Sequence, residues 1–163
     1  MLREKEMAKI LVSILFTLLL ASSALGAGPN PITPLPKDKC PVCGMFVAKY
    51  PDFVAQIIFR DGTYAVFDGV KDMLKYRSAI ARFSPGKKTA DIAAMYVTDY
   101  YSVSHIDGYR AFYVSGGDVF GPMGKELIPF SKKTDALEFM KDHKGRAVLT
   151  FKEITPSVMK SLE

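Results

Sequence analysis

The chain has 163 residues, of which 48% are hydrophobic and 24% charged, and a formal net charge of +5 at pH 7. This length and composition are those of one folded domain with its own hydrophobic core. Its lysines and arginines are scattered rather than gathered into a dense basic face with interleaved aromatic residues, so the charge argues against nucleic-acid binding.

The first 26 residues have the pattern of an export signal. Basic side chains precede an apolar run over residues 10–20, and small residues up to Gly26 offer a cleavage site before Ala27. The run is shorter than the roughly 20 residues that a transmembrane helix needs, although an uncleaved anchor is the alternative. No cysteine directly follows the run, which argues against a lipoprotein. We predict a signal peptide over residues 1–26 and a periplasmic mature protein.

Residues 27–39 hold four of the ten prolines and few residues that could pack, which predicts a stiff linker. The folded domain is expected over residues 40–163. Two stretches of this domain, at about 40–100 and 101–155, share one pattern of elements.

In the first stretch, the β-favouring segments 53–60 and 63–67 flank an Asp61-Gly62 turn, which is a strong hairpin signal. Asp68 then predicts the N-cap of a helix that runs to about residue 82, and residues 93–98 form a further strand. We interpret both aspartates as turn and cap residues rather than as acids with a chemical role. The predicted apolar face of the helix comprises Val70, Met73, Leu74 and Ala81.

The second stretch repeats this pattern, with a turn expected at residues 115–118. Ser131 is placed to cap a helix that runs to about His143, and Gly145 is expected to end it. The predicted strands are 110–114, 126–130 and 146–151, and residues 119–123 are expected to extend the hairpin region. The chain is therefore predicted to be an α+β protein of two similar ββαβ units packed as one compact domain. Internal duplication is one explanation, and coincidence between two ordinary hairpin-helix units is the other.

The two cysteines of the chain lie in the segment Cys40-Pro41-Val42-Cys43-Gly44-Met45, which places two thiols and a thioether within one turn. Soft sulfur ligands select soft metals such as Cu(I), whereas oxygen ligands suit Mg and Ca. Gly44 permits a positive φ that would fold the Met45 thioether back onto the thiols. The segment therefore predicts a Cu(I) site that contains Cys40, Cys43 and Met45.

Other interpretations of the Cys-x-x-Cys pair stay open. A thioredoxin-like thiol-disulfide oxidoreductase normally carries this pair between a strand and the helix that follows, whereas a proline-rich segment precedes Cys40 here. A structural zinc site needs two more ligands, for which His105 and His143 are the candidates. A local disulfide would close a small ring and add little stability. An electron-transfer copper protein would require a His₂Cys set with an axial methionine.

Further methionines bear on the copper hypothesis. Met123 lies in the segment Gly121-Pro122-Met123-Gly124, a tight turn with little room for ordinary core packing, and we expect it to be a ligand. A loop methionine that covers the end of a sheet is the alternative. Met73, Met95 and Met140 fall on predicted helix or strand faces, and are expected in the core.

Taken together, these motifs resemble the NosL family of copper-binding accessory proteins. The resemblance covers about residues 39–154, and several motifs carry it besides the Cys40–Met45 segment. They are Ala55-Gln56-Ile57, Phe67-Asp68 before Met73, Ala111-Phe112-Tyr113-Val114-Ser115-Gly116, Gly121-Pro122-Met123-Gly124-Lys125-Glu126 and Pro129-Phe130.

The resemblance implies a monomeric, non-enzymatic, extracytoplasmic Cu(I)-binding metallochaperone. Its expected partner is a copper-recipient apoprotein, either nitrous oxide reductase or the ABC-type maturation complex of that enzyme. Carried over by position, Cys40, Met45 and Met123 are the preferred ligands, and Cys43 ranks just behind because some relatives lack a cysteine there. The chain departs from the family in lacking a lipoprotein cysteine and in carrying Lys125 where relatives can carry a histidine.

Overall fold

The computed structural model describes residues 28–163, so the predicted signal peptide over residues 1–26 lies outside the described residues. The strands are β1 (Ala55–Phe59), β2 (Tyr64–Phe67), β3 (Ile92–Thr98), β4 (His105–Asp107), β5 (Phe112–Gly121), β6 (Gly124–Phe130) and β7 (Ala147–Thr150). The α-helices are α1 (Val70–Ser78), α2 (Ile80–Phe83), α3 (Lys133–Asp142) and α4 (Pro156–Ser161). Within the described part of the chain, none of the helices has the length and apolar character needed to cross a membrane.

The strands form two antiparallel sheets with the same local topology. The first sheet has the order β2-β1-β3-β4 and the second has the order β6-β5-β7. In each sheet, the first strand of a hairpin lies next to both its hairpin partner and the strand that follows the helix. This arrangement confirms the predicted α+β fold of two similar ββαβ units.

One hydrophobic core joins the two units. Ile57 and Met73 of the first unit and Tyr113 and Leu127 of the second belong to one cluster of fully buried side chains. Met95 is also buried in this cluster, as predicted. Met140 is half-buried and packs against a smaller cluster around the α3 side of the second sheet.

Helix α1 is shorter than predicted, and Asp68 does not cap it. Gly69 occupies the N-cap position in an extended conformation, and the Asp68 carboxylate is engaged elsewhere, by the thiol of Cys43. The helix ends at Ser78 because Ala79 leaves helical geometry, with φ −129° and ψ 38°. The break exposes Ala81, so the part of the predicted face that is buried comprises Val70, Met73 and Leu74.

The turn predicted at residues 115–118 is wrong, because strand β5 continues through these residues to Gly121. A shift in register between Ser115 and Phe120 accommodates the Gly-Gly pair within the strand. The chain reverses instead at Pro122 and Met123, since Gly121 still pairs with Gly124.

The ends of helix α3 also differ from prediction. Lys132, not Ser131, is the N-cap residue, and the backbone N–H of Ser131 donates to Asp99 Oδ2 at 2.6 Å. At the other end, Lys144 takes the left-handed conformation with φ 56°. Gly145 follows it and donates its N–H to the Met140 carbonyl at 2.7 Å, as in a Schellman-type C-terminus.

Residues before the domain lie along the first sheet. The backbone of Ile32 exchanges two hydrogen bonds with the Gln56 side chain, at 2.7 and 2.8 Å. The Tyr96 hydroxyl donates to the Pro29 carbonyl at 2.8 Å. The proline-rich segment is thereby held against strands β1 and β3.

Candidate metal centre

Backbone hydrogen bonds close the segment that carries the two cysteines into a tight loop. Lys39 and Phe46 form an isolated antiparallel bridge at its base. Within it, the N–H of Cys40 donates to the Met45 carbonyl and the N–H of Gly44 to the Cys40 carbonyl, both at 2.8 Å. Gly44 has φ 80°, which confirms the predicted positive φ. The loop therefore holds both thiols at fixed positions relative to the sheet.

Both thiols meet a carboxylate from the junction between β2 and α1. Cys40 Sγ donates to Asp72 Oδ2 at 3.3 Å, and Cys43 Sγ donates to Asp68 Oδ1 at 3.1 Å. Asp68 directly follows β2, whereas Asp72 lies in the first turn of α1. One ligand atom from each of these four residues lies within 4.8 Å of the other three. Such a constellation can hold one metal ion.

Burial controls the protonation of the thiols. Cys40 and Asp68 are each 1% exposed and Asp72 is 4% exposed, whereas Cys43 is half-buried. Loss of hydration raises the pKa of Cys40 far above its usual range and the pKa of Cys43 to about 11, although backbone N–H donors oppose the rise. Without a cation, both thiols therefore stay protonated at neutral pH, and a bound metal must displace protons.

Asp68 carries a further sign that the site accommodates a cation. Its Oδ2 atom is buried and has no hydrogen-bond partner among residues 28–163. A buried carboxylate oxygen without a partner is costly, and native structures rarely leave one without a reason. A metal ion in the cluster would provide the missing partner.

The two methionines predicted as ligands lie on different parts of the fold. Met45 is half-buried in the cysteine loop, and Met123 is 47% exposed at the turn between β5 and β6. The Met123 carbonyl accepts a hydrogen bond from Lys71 Nζ at 2.7 Å. Since Lys71 immediately precedes Asp72, this bond holds the turn of the second unit against the helix that carries one of the acids.

A buried glutamate of the second unit fixes the start of the same helix. Glu126 Oε1 accepts the backbone N–H of Lys71 at 2.7 Å and that of Leu127 at 2.8 Å. Burial raises the pKa of Glu126 to about 7 despite these two donors. The first turn of α1, and with it Asp72, is therefore positioned by a side chain from the other sheet.

Neither histidine belongs to the cluster in the described part of the chain. His105 Nε2 lies 3.2 Å from Gln56 Nε2 on the first sheet, and burial lowers its pKa. His143 stacks on Phe139, and its Nδ1 lies 3.0 Å from Asp118. The zinc alternative would need these histidines as further ligands, whereas the side chains beside the thiols are the carboxylates of Asp68 and Asp72.

The sequence predicts neither Asp68 nor Asp72 as a site residue. Asp68 is predicted to cap a helix, and Asp72 is not given a role. The available signal was their proximity in the sequence, because an acid just before a helix and an acid in its first turn lie close together.

The chain is similar to known proteins in both sequence and fold. The NosL family model matches residues 31–159. The copper-binding lipoprotein NosL of Stutzerimonas stutzeri is 30% identical over 161 residues, which cover 89% of this chain and 80% of that protein. The copper chaperone NosL from Shewanella denitrificans has a similar fold, with a TM-score of 0.66 at 20% identity, over 81% of this chain and 99% of that one.

Proposed function

Since this chain belongs to the NosL family, we propose that it is an extracytoplasmic copper-binding chaperone that carries Cu(I) as its cargo. The observation that carries the proposal is the cluster in which Cys40, Cys43, Asp68 and Asp72 bring four ligand atoms within 4.8 Å of one another. A relative that is named a copper-binding lipoprotein supports both the metal and a location outside the cytoplasm.

The sulfur content of the site favours Cu(I) over harder ions. Thiolates and thioethers suit Cu(I), whereas carboxylates suit harder cations. We assign Cys40 and Cys43 as the central ligands, with Met45 of the same loop and Met123 of the neighbouring turn completing the sulfur set. Asp68 and Asp72 then accept hydrogen bonds from the thiols in the metal-free protein and add negative charge beside the bound cation.

The same geometry argues against a thiol-disulfide oxidoreductase. A catalytic cysteine of that class needs a lowered pKa, which a helix N-terminus or a cationic neighbour provides. Here burial and the adjacent carboxylates raise the pKa of Cys43 to about 11. The loop also precedes the first strand of the sheet, whereas a redox pair would follow a strand and begin a helix.

The half-buried Cys43 suits transfer of the ion to another protein. Cys40 is almost fully buried, so a recipient would reach the metal from the side of Cys43 and displace that ligand first. We propose that the recipient is a copper apoprotein of the nitrous oxide reductase system, either the reductase or its ABC-type maturation complex. We further propose that the protein acts as a monomer, after cleavage of the predicted signal peptide.

A Cu(I) competition titration under reducing conditions tests the proposal. Against a chromogenic Cu(I) chelator, the protein is expected to retain about one equivalent of Cu(I) in preference to Zn(II). Cys40→Ser and Cys43→Ser should lose this retention, whereas Met140→Leu, which alters a half-buried methionine outside the cluster, should keep it. Stoichiometric zinc that displaces copper from the unmodified protein would refute the copper assignment.

A further inference from the structure

A groove of about 620 Å³ lies between the second half of α1 and the C-terminal segment. This volume falls within the roughly 300–1,000 Å³ of small-molecule sites in proteins. Apolar side chains from both walls line it, namely Leu74, Phe151, Ile154 and Met159. The groove is separate from the metal centre, because it begins at Leu74, after the turn of α1 that carries Asp72.

Cationic side chains surround this apolar lining. Lys75, Arg77, Lys152 and Lys160 all line the groove, against the single acid Glu163. Glu163 is already paired with Lys75 at 3.2 Å. Among residues 28–163, no carboxylate lies within 4.0 Å of a charged nitrogen of the other three cations. The groove therefore combines an apolar lining with uncompensated positive charge.

Arg77 belongs to the cations of the groove and also contacts its apolar lining. Its guanidinium carbon lies 5.1 Å from the centre of the Phe151 ring, so the cation is held over an aromatic face of the lining. Its Nε atom is buried and has no hydrogen-bond partner within the described residues. A guanidinium in such a position presents its remaining N–H groups in a fixed fork that suits a carboxylate or a phosphate.

We propose that this groove binds a free single-chain amphiphile with an anionic head, either a carboxylate or a phosphate. The head lies against Arg77, Lys152 and Lys160, and the alkyl chain covers the apolar lining. An acidic peptide fits less well, because apart from its charged groups the lining offers a peptide backbone only the hydroxyls of Ser78 and Thr155 as side-chain hydrogen-bond partners. This inference is independent of the copper site.

Titration of the protein with dodecyl phosphate and with decanoate, below their micelle concentrations, tests the proposal by calorimetry and by NMR of the backbone amides. We expect saturable binding of one molecule, with amide shifts concentrated at residues 74–78 and 151–163. Decyl maltoside, which has a similar chain but no charge, should bind at least about tenfold more weakly, since it lacks the charged head.

Matched variants locate the head group. Arg77→Gln should weaken dodecyl phosphate binding about tenfold, as expected for loss of one charge-assisted hydrogen bond. Because Arg77 also packs on Phe151, the double change Lys152→Gln with Lys160→Gln repeats the test at two exposed positions. Lys132→Gln removes an exposed lysine outside the groove and should change nothing. Cu(I) affinity should be the same in all of these variants.

Several outcomes would overturn the proposal. These are absence of saturable binding, equal binding of the neutral amphiphile, amide shifts outside the groove, and unchanged affinity in both groove variants. Tighter binding of a hexaglutamate peptide than of dodecyl phosphate would show that the occupant is an acidic polypeptide instead. Binding to anionic vesicles without binding to the free amphiphile would assign the cations to a membrane surface instead.

Discussion

Substitution of Gly69 by alanine should disrupt the contact that joins the two units beside the metal centre. Gly69 has an extended backbone with φ −177°, so its conformation does not require glycine. Glycine is required here by the available space, because an added Cβ would lie well inside the van der Waals contact distance of Glu126 Oε2 and 3.1 Å from Glu126 Cδ. Glu126 is 6% exposed and cannot swing into solvent without opening the interface between the sheets.

The cost of this change follows from the hydrogen bonds that Glu126 would lose. It accepts two backbone N–H groups, from Lys71 at 2.7 Å and Leu127 at 2.8 Å. Hydrogen bonds to a charged group contribute about 1.5–3 kcal/mol each, so partial loss of both should lower the free energy of unfolding by about 2–4 kcal/mol. Urea unfolding measures this difference.

Gly108→Ala is the matched control for this substitution. A Cβ at Gly108 would meet Met95 at 3.4 Å, which is ordinary contact, so we expect a change below about 0.5 kcal/mol. If Gly69→Ala cost no more than this control, the argument that Glu126 fixes the start of α1 would be wrong.

Three further predictions concern the site and its surroundings. Met123→Leu should cost less than about 1.5 kcal/mol in folding and yet weaken Cu(I) retention by about tenfold or more, whereas Met140→Leu should not alter retention. Equal Cu(I) affinity in Met123→Leu and the parent protein would confine the site to the first unit. Asp72→Asn should reduce the affinity for Zn(II) more than that for Cu(I) in competition titrations, because it replaces an anionic carboxylate, which the harder ion prefers, with a neutral amide. Equal losses would place Asp72 in the Cu(I) coordination shell. Glu126 has a folded pKa of about 7, raised chiefly by burial, with nearby Lys71 opposing the rise and Asp72 reinforcing it. The stability it contributes is present below its ordinary pKa of 4.5 and is lost as the pH rises through about 7. The free energy of unfolding should therefore fall by up to about 3 kcal/mol over this range in the parent protein, and by much less in Glu126→Gln.

The repeated ββαβ pattern was predictable because its signals are local. Hairpin turns, such as the one at Asp61-Gly62, and the spacing of apolar residues in helices and strands each involve positions only a few residues apart. The Gly-Gly pair at Gly116 and Gly117 misled the prediction, since glycines usually mark a turn. Here they allow close packing instead, because a Cβ at Gly116 would lie 2.7 Å from Arg146 Cδ and one at Gly117 would lie 3.1 Å from the His143 carbonyl.

Two elements with weak local signals, strand β4 and helix α4, are not predicted from the sequence. Strand β4 has three residues, His105–Asp107, and is defined by its pairing with β3. Helix α4 has six residues, and the Thr155 hydroxyl caps it by accepting the Val158 N–H at 3.4 Å. Both depend on contacts with the rest of the fold more than on their own composition.

The candidate site likewise contains some residues that are close in the sequence and others that only the fold brings together. The sulfur atoms of Cys40 and Cys43 were predicted together because they lie within one turn of the sequence. Their carboxylate partners lie 32 and 25 residues further along the chain. No local pattern links the cysteine loop to the start of α1, so the pairing of thiols with acids appears only once the first unit is folded.

The two units are alike in topology but unequal in chemistry. In the repeat, Phe67-Asp68 of the first unit corresponds to Phe130-Ser131 of the second, so a serine stands where the first unit has its buried acid. The backbone N–H of Ser131 donates to Asp99 rather than to a group in a metal cluster. The second unit instead contributes to the site through contacts with α1, without adding a side chain to the cluster of two cysteines and two aspartates. Its β5–β6 hairpin binds Lys71 twice, through the Met123 carbonyl and through the Glu126 carboxylate.

Through these two bonds, the hairpin helps to position a residue of the metal cluster as well as forming part of the second sheet. Lys71 lies next to Asp72, so both bonds determine where that carboxylate lies relative to the Cys40 thiol. Loosening the hairpin should therefore alter metal retention without any change at the four clustered side chains. Lys71→Met keeps the long aliphatic side chain and removes the bond to the Met123 carbonyl together with the positive charge near Glu126. We expect faster release of Cu(I) to a chelator in Lys71→Met than in Lys132→Met, which removes an exposed lysine elsewhere. Identical release rates would mean that the cysteine loop and α1 hold the metal without the second unit.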